Sequence, residues 1–188
     1  MNLVIFGPPG AGKGTQSNFI VEKFKFYQLS TGELLRKEVK SKSKLGMEIS
    51  SIINSGSLVS DQIVSKLIEN YLSNDKYKNK LIFDGYPRNL KQANNLDNLL
   101  KKNNQKISIV LNLSVSLETV KKRISERKIL EKRKDDEEVV AIKRYETYVE
   151  NIKPVIDFYK KSNLLKVVNG EGSITEINSE ISALIEAI

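Results

Sequence analysis

The chain contains no cysteine, no histidine and no tryptophan. Without cysteine there is no disulfide, no thiolate metal site and no thiol nucleophile. Without histidine there is no imidazole acid–base catalyst and no imidazole-bound metal. No apolar run approaches the roughly 20 residues that a bilayer-spanning helix needs. The first residues read as a strand and not as a signal peptide. A cytoplasmic location is therefore the expectation. Proline is scarce, with four residues, and two of these are adjacent at Pro8 and Pro9.

What is present suits one folded domain with small inserts. At 188 residues, 39% of them apolar, the chain can build a core. Lysine and arginine outnumber aspartate and glutamate, 31 to 23, for a net charge of +8. Such a balance serves solubility, or it marks an anionic partner: nucleotide, nucleic acid or membrane. Scattered lysines and the lack of tryptophan speak against a stacking platform for nucleic acid.

Short apolar runs alternate with longer helical patterns. The runs are Leu3–Phe6, Leu81–Phe83, Ile107–Leu113 and Leu164–Val168, with a weaker one at Phe26–Leu29. None alternates cleanly between polar and apolar, as befits parallel strands buried on both faces. Helical patterns cover 15–24, 32–40, 61–72, 90–101, 117–127, 136–160 and 174–185. The alternation predicts a doubly wound α/β fold. Two intervals break the rhythm. Residues 31–80 are far longer than the dozen or so a crossover needs, and read as a helical insert. Residues 128–134, KILEKRK, are nearly all charged and separate two helices.

Residues 7–14 read GPPGAGKG, with four glycines, two prolines and one lysine directly behind a buried strand. This is the G-x-x-x-x-G-K pattern of a phosphate-binding loop. Glycine lets the backbone N–H groups close on phosphate oxygens, and the following helix adds its positive end. Lys13 adds a full charge. Gly14 stands where the usual motif has a serine or threonine, and Thr15 comes one residue later.

Four segments in order, GPPGAGKGTQ, LSTGELLR at 29–36, FDGYPRNLKQA at 83–93 and RKDDEE at 133–138, resemble the nucleoside monophosphate kinase family, and within it the adenylate kinases. The resemblance spans essentially the whole chain. It implies a P-loop kinase core with a five-stranded parallel sheet, built from residues 1–30, 81–127 and 136–188. A helical AMP-binding insert would occupy about 31–60, and a short lid about 128–135. The implied reaction is reversible phosphoryl transfer from Mg-ATP to AMP, giving two ADP. Such a short lid, without cysteine, implies no zinc. A monomer is implied as well.

The same resemblance distributes roles. Gly10, Ala11, Gly12, Lys13, Gly14 and Thr15 would hold the ATP phosphates, with Arg123 on the adenine and Arg127 reaching the phosphates. The loop after Val168 would face the ATP base, bringing in Gly172. Arg36 and Arg88 would grip the AMP phosphate. Thr31, Leu35, Ile53, Leu58, Val59 and Gly85 would line the AMP pocket, although ordinary core packing reads Ile53, Leu58 and Val59 equally well. Gln92 would read the adenine edge, because an amide both donates and accepts. Arg133 and Arg144 would close over the transferred group and the AMP phosphate. Lys13, Arg88, Arg123, Arg127, Arg133 and Arg144 form the implied catalytic set. Asp84, at the end of a strand, would hold Mg²⁺ through water; a strand-end carboxylate that merely caps the turn is the lesser reading. Asp135–Glu138 suits a helix N-terminus electrostatically. Glu126 departs from the family pattern by placing an anion beside the triphosphate site. Asn89 is reminiscent of the UMP/CMP kinases of the same fold, the alternative to AMP. A nucleic-acid-binding P-loop protein and a silent nucleotide-binding module are the other readings.

Overall fold

Every residue of the strand β1, Asn2–Phe6, is buried. Its side chains enter two cores. Leu3 and Ile5 pack on one face of the sheet, Val4 and Phe6 on the other. That double burial is why the sequence shows no alternation. The remaining strands are β2 (Tyr27–Ser30), β3 (Leu81–Asp84), β4 (Ile107–Ser114) and β5 (Leu165–Asn169). All pair in parallel, in the order β2-β3-β1-β4-β5. The computed structural model describes residues 1–131 and 136–188, without the side chain of Glu131. Arg133, Asp135 and the rest of 132–135, where the lid is expected, therefore lie outside the described residues.

The helices are α1 (Lys13–Phe24), α2 (Thr31–Ser41), α3 (Lys44–Asn54), α4 (Asp61–Leu72), α5 (Leu90–Lys102), α6 (Leu117–Glu131), α7 (Glu138–Lys161) and α8 (Ile174–Glu186). Ile20 of α1 and Ile177 and Ile181 of α8 cover the Leu3–Ile5 face. Leu35, Ile49, Val64, Leu96 and Ile152, from α2 to α5 and α7, cover the other. Among the described residues no helix is long and apolar enough to cross a membrane.

Three boundaries differ from the sequence expectation. Residues 44–54 form a helix of their own, α3, started by the Ser43 side chain accepting from the Gly46 N–H. It crosses α2 so closely that a Cβ at Gly46 would run into the Glu38 carbonyl. Residues 128–131, expected in a loop, continue α6. Nothing in Lys-Ile-Leu-Glu stops a helix, since it holds neither glycine nor proline. Finally, α7 begins at Glu138 and not at Asp136, because Glu137 takes an extended backbone, with ψ 140°, as its N-cap.

Candidate active site

Parallel strands bring their C-terminal ends to one rim of the sheet, where open α/β folds bind ligands. Phe6, Ser30, Asp84, Ser114 and Asn169 all end there. The predicted chemistry follows these ends.

After β1, the turn from Gly7 to Gly12 wraps into α1. Gly10 holds a positive φ of 80°, and a Cβ on it would press on the Ile124 side chain at 3.1 Å and the Val120 carbonyl at 3.2 Å. Glycine is thus required both by conformation and by the approach of α6. The start of α1 has no side-chain cap and no acidic residue in its first turn. Its leading N–H groups and positive dipole end are left for an anion. The Lys13 ammonium folds back over this loop and donates to the Gly7 carbonyl at 2.7 Å and the Pro8 carbonyl at 2.9 Å. Burial brings its pKa down to about 8; Asp84 pulls it up, while Arg88, Arg144 and Arg127 push it lower. These charges therefore share one locality with Lys13.

Asp84 closes β3 and is buried, and one of its oxygens accepts from the Gln28 amide at 2.9 Å. Among the described residues no group of three or more acidic residues is placed to hold a metal. A lone carboxylate beside a phosphate loop suits Mg²⁺, which keeps most of its waters and takes the rest from substrate phosphates.

On α6, Arg123 donates to the Gly170 carbonyl at 2.9 Å and reaches the Ala11 carbonyl at 3.5 Å. It joins the phosphate loop to the β5–α8 turn. Gly170, and not Gly172, meets this arginine; Gly172 sits against Glu176 at the start of α8. Arg127 makes two bonds of 2.6 Å to Asp136, and Arg144 of α7 approaches the same carboxylate at 3.2 Å. Glu126 is exposed on α6.

A second, narrower cleft opens toward β2 and β3. Thr31 and Leu35 of α2 line it with Leu58 and Val59 from the α3–α4 turn. Gly85, Arg88 and Gln92 line its other side, joined by Val64 and Tyr86. The Gly85 carbonyl accepts from Thr31 Oγ1 at 3.0 Å and from Arg88 Nε at 2.7 Å, which ties α2 to the loop after β3. Arg36 and Arg88 converge beside Gly32: their guanidinium nitrogens come within 3.2 and 3.7 Å of where a Cβ there would stand. Ile53 packs half-buried against the core and does not line the cleft. Size alone does not mark the site. A larger cavity of about 600 Å³ lies between α6 and α7, lined largely by apolar side chains such as Val120, Ile124 and Ala141.

A sequence model of the family described as adenylate kinase matches residues 5–164. The chain belongs to the adenylate kinase family. It is 42% identical over 212 aligned positions to the adenylate kinase of Pelagibacter ubique (strain HTCC1062), covering 99% of this chain and 100% of that one. It is 43% identical over 181 positions to the adenylate kinase of Prochlorococcus marinus (strain MIT 9515), with 96% of each covered. The adenylate kinase of Hyphomonas neptunium (strain ATCC 15444) is 39% identical over 186 positions, covering 99% of this chain and 98% of that one.

Several residues around this rim escape sequence reasoning. Gln28 carries no motif; it meets Asp84 only because β2 pairs with β3. Asp61 reads as an ordinary acidic residue in a first helical turn. Asp136 reads as part of a charged helix start, yet its side chain is fully buried between arginines. Their roles arise from tertiary neighbours that local pattern does not show.

Proposed function

We propose that this adenylate kinase transfers the terminal phosphoryl group of Mg-ATP to the phosphate of AMP, reversibly, giving two ADP. One observation carries the reading. The rim of the sheet presents two separate places, an uncapped glycine-rich loop and a narrow cleft lined by Leu35, Val59, Arg88 and Gln92, with Lys13, Arg88, Arg127 and Arg144 in one locality.

ATP places its phosphates on the loop of Gly10, Ala11, Gly12, Lys13, Gly14 and Thr15. Lys13 exchanges two backbone carbonyls for phosphate oxygens. Arg123 is already fixed beside the loop, next to the turn that faces the ATP base. AMP enters the second cleft, with its phosphate toward Arg36 and Arg88 and its base toward Gln92. Leu35, Leu58 and Val59 supply the apolar walls.

Phosphoryl transfer asks for positioning and for cations that meet the charge spread over the equatorial oxygens. Lys13, Arg88, Arg123, Arg127 and Arg144 provide them; Arg133 belongs to the same set. No general base is needed, because the AMP phosphate is itself the nucleophile. Asp84 would hold Mg²⁺ through water, and the ion would supply positive charge to the substrate phosphates. Closure of a short lid at about 128–135 and of the insert at about 31–60 keeps water from the transferred group. The reading takes the enzyme as a cytoplasmic monomer acting on free nucleotides.

The test is an acceptor panel. Purified protein with Mg-ATP is offered AMP, UMP, CMP or GMP, and ADP formation is followed. Turnover with AMP well above the others is expected. Preference for UMP or CMP would keep the fold and overturn the substrate assignment.

A further inference from the structure

Gln92 is almost wholly buried, 3% exposed, and its amide is engaged on both sides. Its Oε1 accepts from the backbone N–H of Arg88 at 2.7 Å, and its Nε2 donates to Asp61 Oδ1 at 2.7 Å. A carboxamide offers two acceptor sites and two N–H donors. One of each is used here and one of each remains. Turning the amide over would set Nε2 against a backbone N–H and Oε1 against a carboxylate, and both contacts would become repulsive. The orientation is therefore fixed before any ligand arrives.

Asp61 supplies half of that constraint from outside the core. It opens α4, while Gln92 lies on α5, 31 residues away. The same Oδ1 accepts from Asn89 Nδ2 at 3.0 Å, and Asn89 Oδ1 accepts from the Gln92 backbone N–H at 2.8 Å. One carboxylate oxygen thus orients two amides. Lys91 comes no nearer than 4.0 Å and stays mostly in solvent.

We propose that Asp61 is a positioning residue that presets the Gln92 amide, so that the cleft accepts bases carrying an amino donor beside an unprotonated ring nitrogen. The proposal rests on the assignment of this cleft to the acceptor nucleotide. Adenine and cytosine present that pair: the amino group donates to Oε1 and the ring nitrogen accepts from Nε2. Uracil and guanine present a carbonyl beside a ring N–H, the reverse order, which fits only the turned amide. Asp61 touches no base; it acts through Gln92.

The experiment compares wild type, Asp61→Ala and Asp61→Asn with AMP, CMP, UMP and GMP as acceptors. A hydrogen bond to a charged group is worth about 1.5–3 kcal/mol, so Asp61→Ala is expected to raise the KM for AMP about tenfold or more. The KM for ATP should hold within about twofold, because the change leaves ATP contacts alone. The preference for AMP over UMP and GMP should shrink by a similar factor. Asparagine keeps an oxygen that can accept from both amides, so Asp61→Asn should restore the AMP KM to within about threefold. An Asp61→Ala enzyme with unchanged AMP KM and acceptor ranking would overturn the proposal. So would equal losses for every acceptor in both variants, which is what damage to α4 packing alone would give. Wild-type preference for UMP, CMP or GMP would instead remove the AMP assignment itself, whatever the variants do.

Discussion

Replacing Asp136 by asparagine removes a negative charge from between two guanidinium groups while keeping the side chain's shape. The Asp136 side chain is 0% exposed, and its partners Arg127 and Arg144 are 25% and 20% exposed. Breaking a buried ion pair by removing one partner costs about 3–5 kcal/mol. Both arginines keep some access to water, so the lower end, about 3 kcal/mol, applies here. A chain of this size loses about 2–4 °C of melting temperature per kcal/mol, which gives a fall of about 6–12 °C. The amide worsens the site further, since its N–H₂ turns a donor toward donors. Lys13 lies within reach of the same arginine charges. Saturating ATP should therefore narrow the gap between variant and wild type, because its phosphates replace the missing anion. The assay is thermal unfolding of both proteins, with and without ATP. A variant melting within about 2 °C of wild type would show that the Asp136 charge does not hold Arg127 and Arg144, and so would a loss that ATP leaves unchanged.

Lys13 gives a pH prediction. Its pKa near 8 lies below the ordinary 10.5, so folding disfavours its charged form. That penalty is fully present below pH 8 and is relieved as pH rises from 8 to 10.5. ATP selects the ammonium, so binding should take up more proton at pH 8.5 than at pH 7. Calorimetry in buffers of different ionisation enthalpy reads this directly; equal uptake at both pH values would contradict it. Gly85 has a φ of 72°, and a Cβ there would stand 3.2 Å from the Arg88 guanidinium. Gly85→Ala is expected to cost about 1–2 kcal/mol of stability from the backbone strain and to raise the AMP KM several-fold. Unfolding and steady-state kinetics check both, and an unchanged AMP KM would rule out a close approach of AMP to Gly85.

The strands were legible because burial on both sheet faces leaves unbroken apolar runs, as in Leu3–Phe6 and Leu81–Phe83. The strand–loop–helix setting of Gly7–Gly12 was legible because its glycines and lysine sit between such a run and a helix. Seven of the residues assigned to the AMP pocket, Thr31, Leu35, Leu58, Val59, Gly85, Arg88 and Gln92, line one cleft. What local pattern hid is pairing across the fold. Asp61 and Asp136 look like routine acids near helix starts, and only packing turns one toward Gln92 and the other between Arg127 and Arg144. The α2–α3 break was hidden for a related reason. Ser43 caps a new helix inside a long polar stretch, and the closeness that demands glycine at 46 is a tertiary contact.

The most direct measurement uses ADP as the sole nucleotide. Protein, Mg²⁺ and ADP are mixed and followed by phosphorus NMR. ATP and AMP are expected to appear together in equal amounts, with no inorganic phosphate. Unchanged ADP, or release of phosphate in place of AMP and ATP, would contradict it.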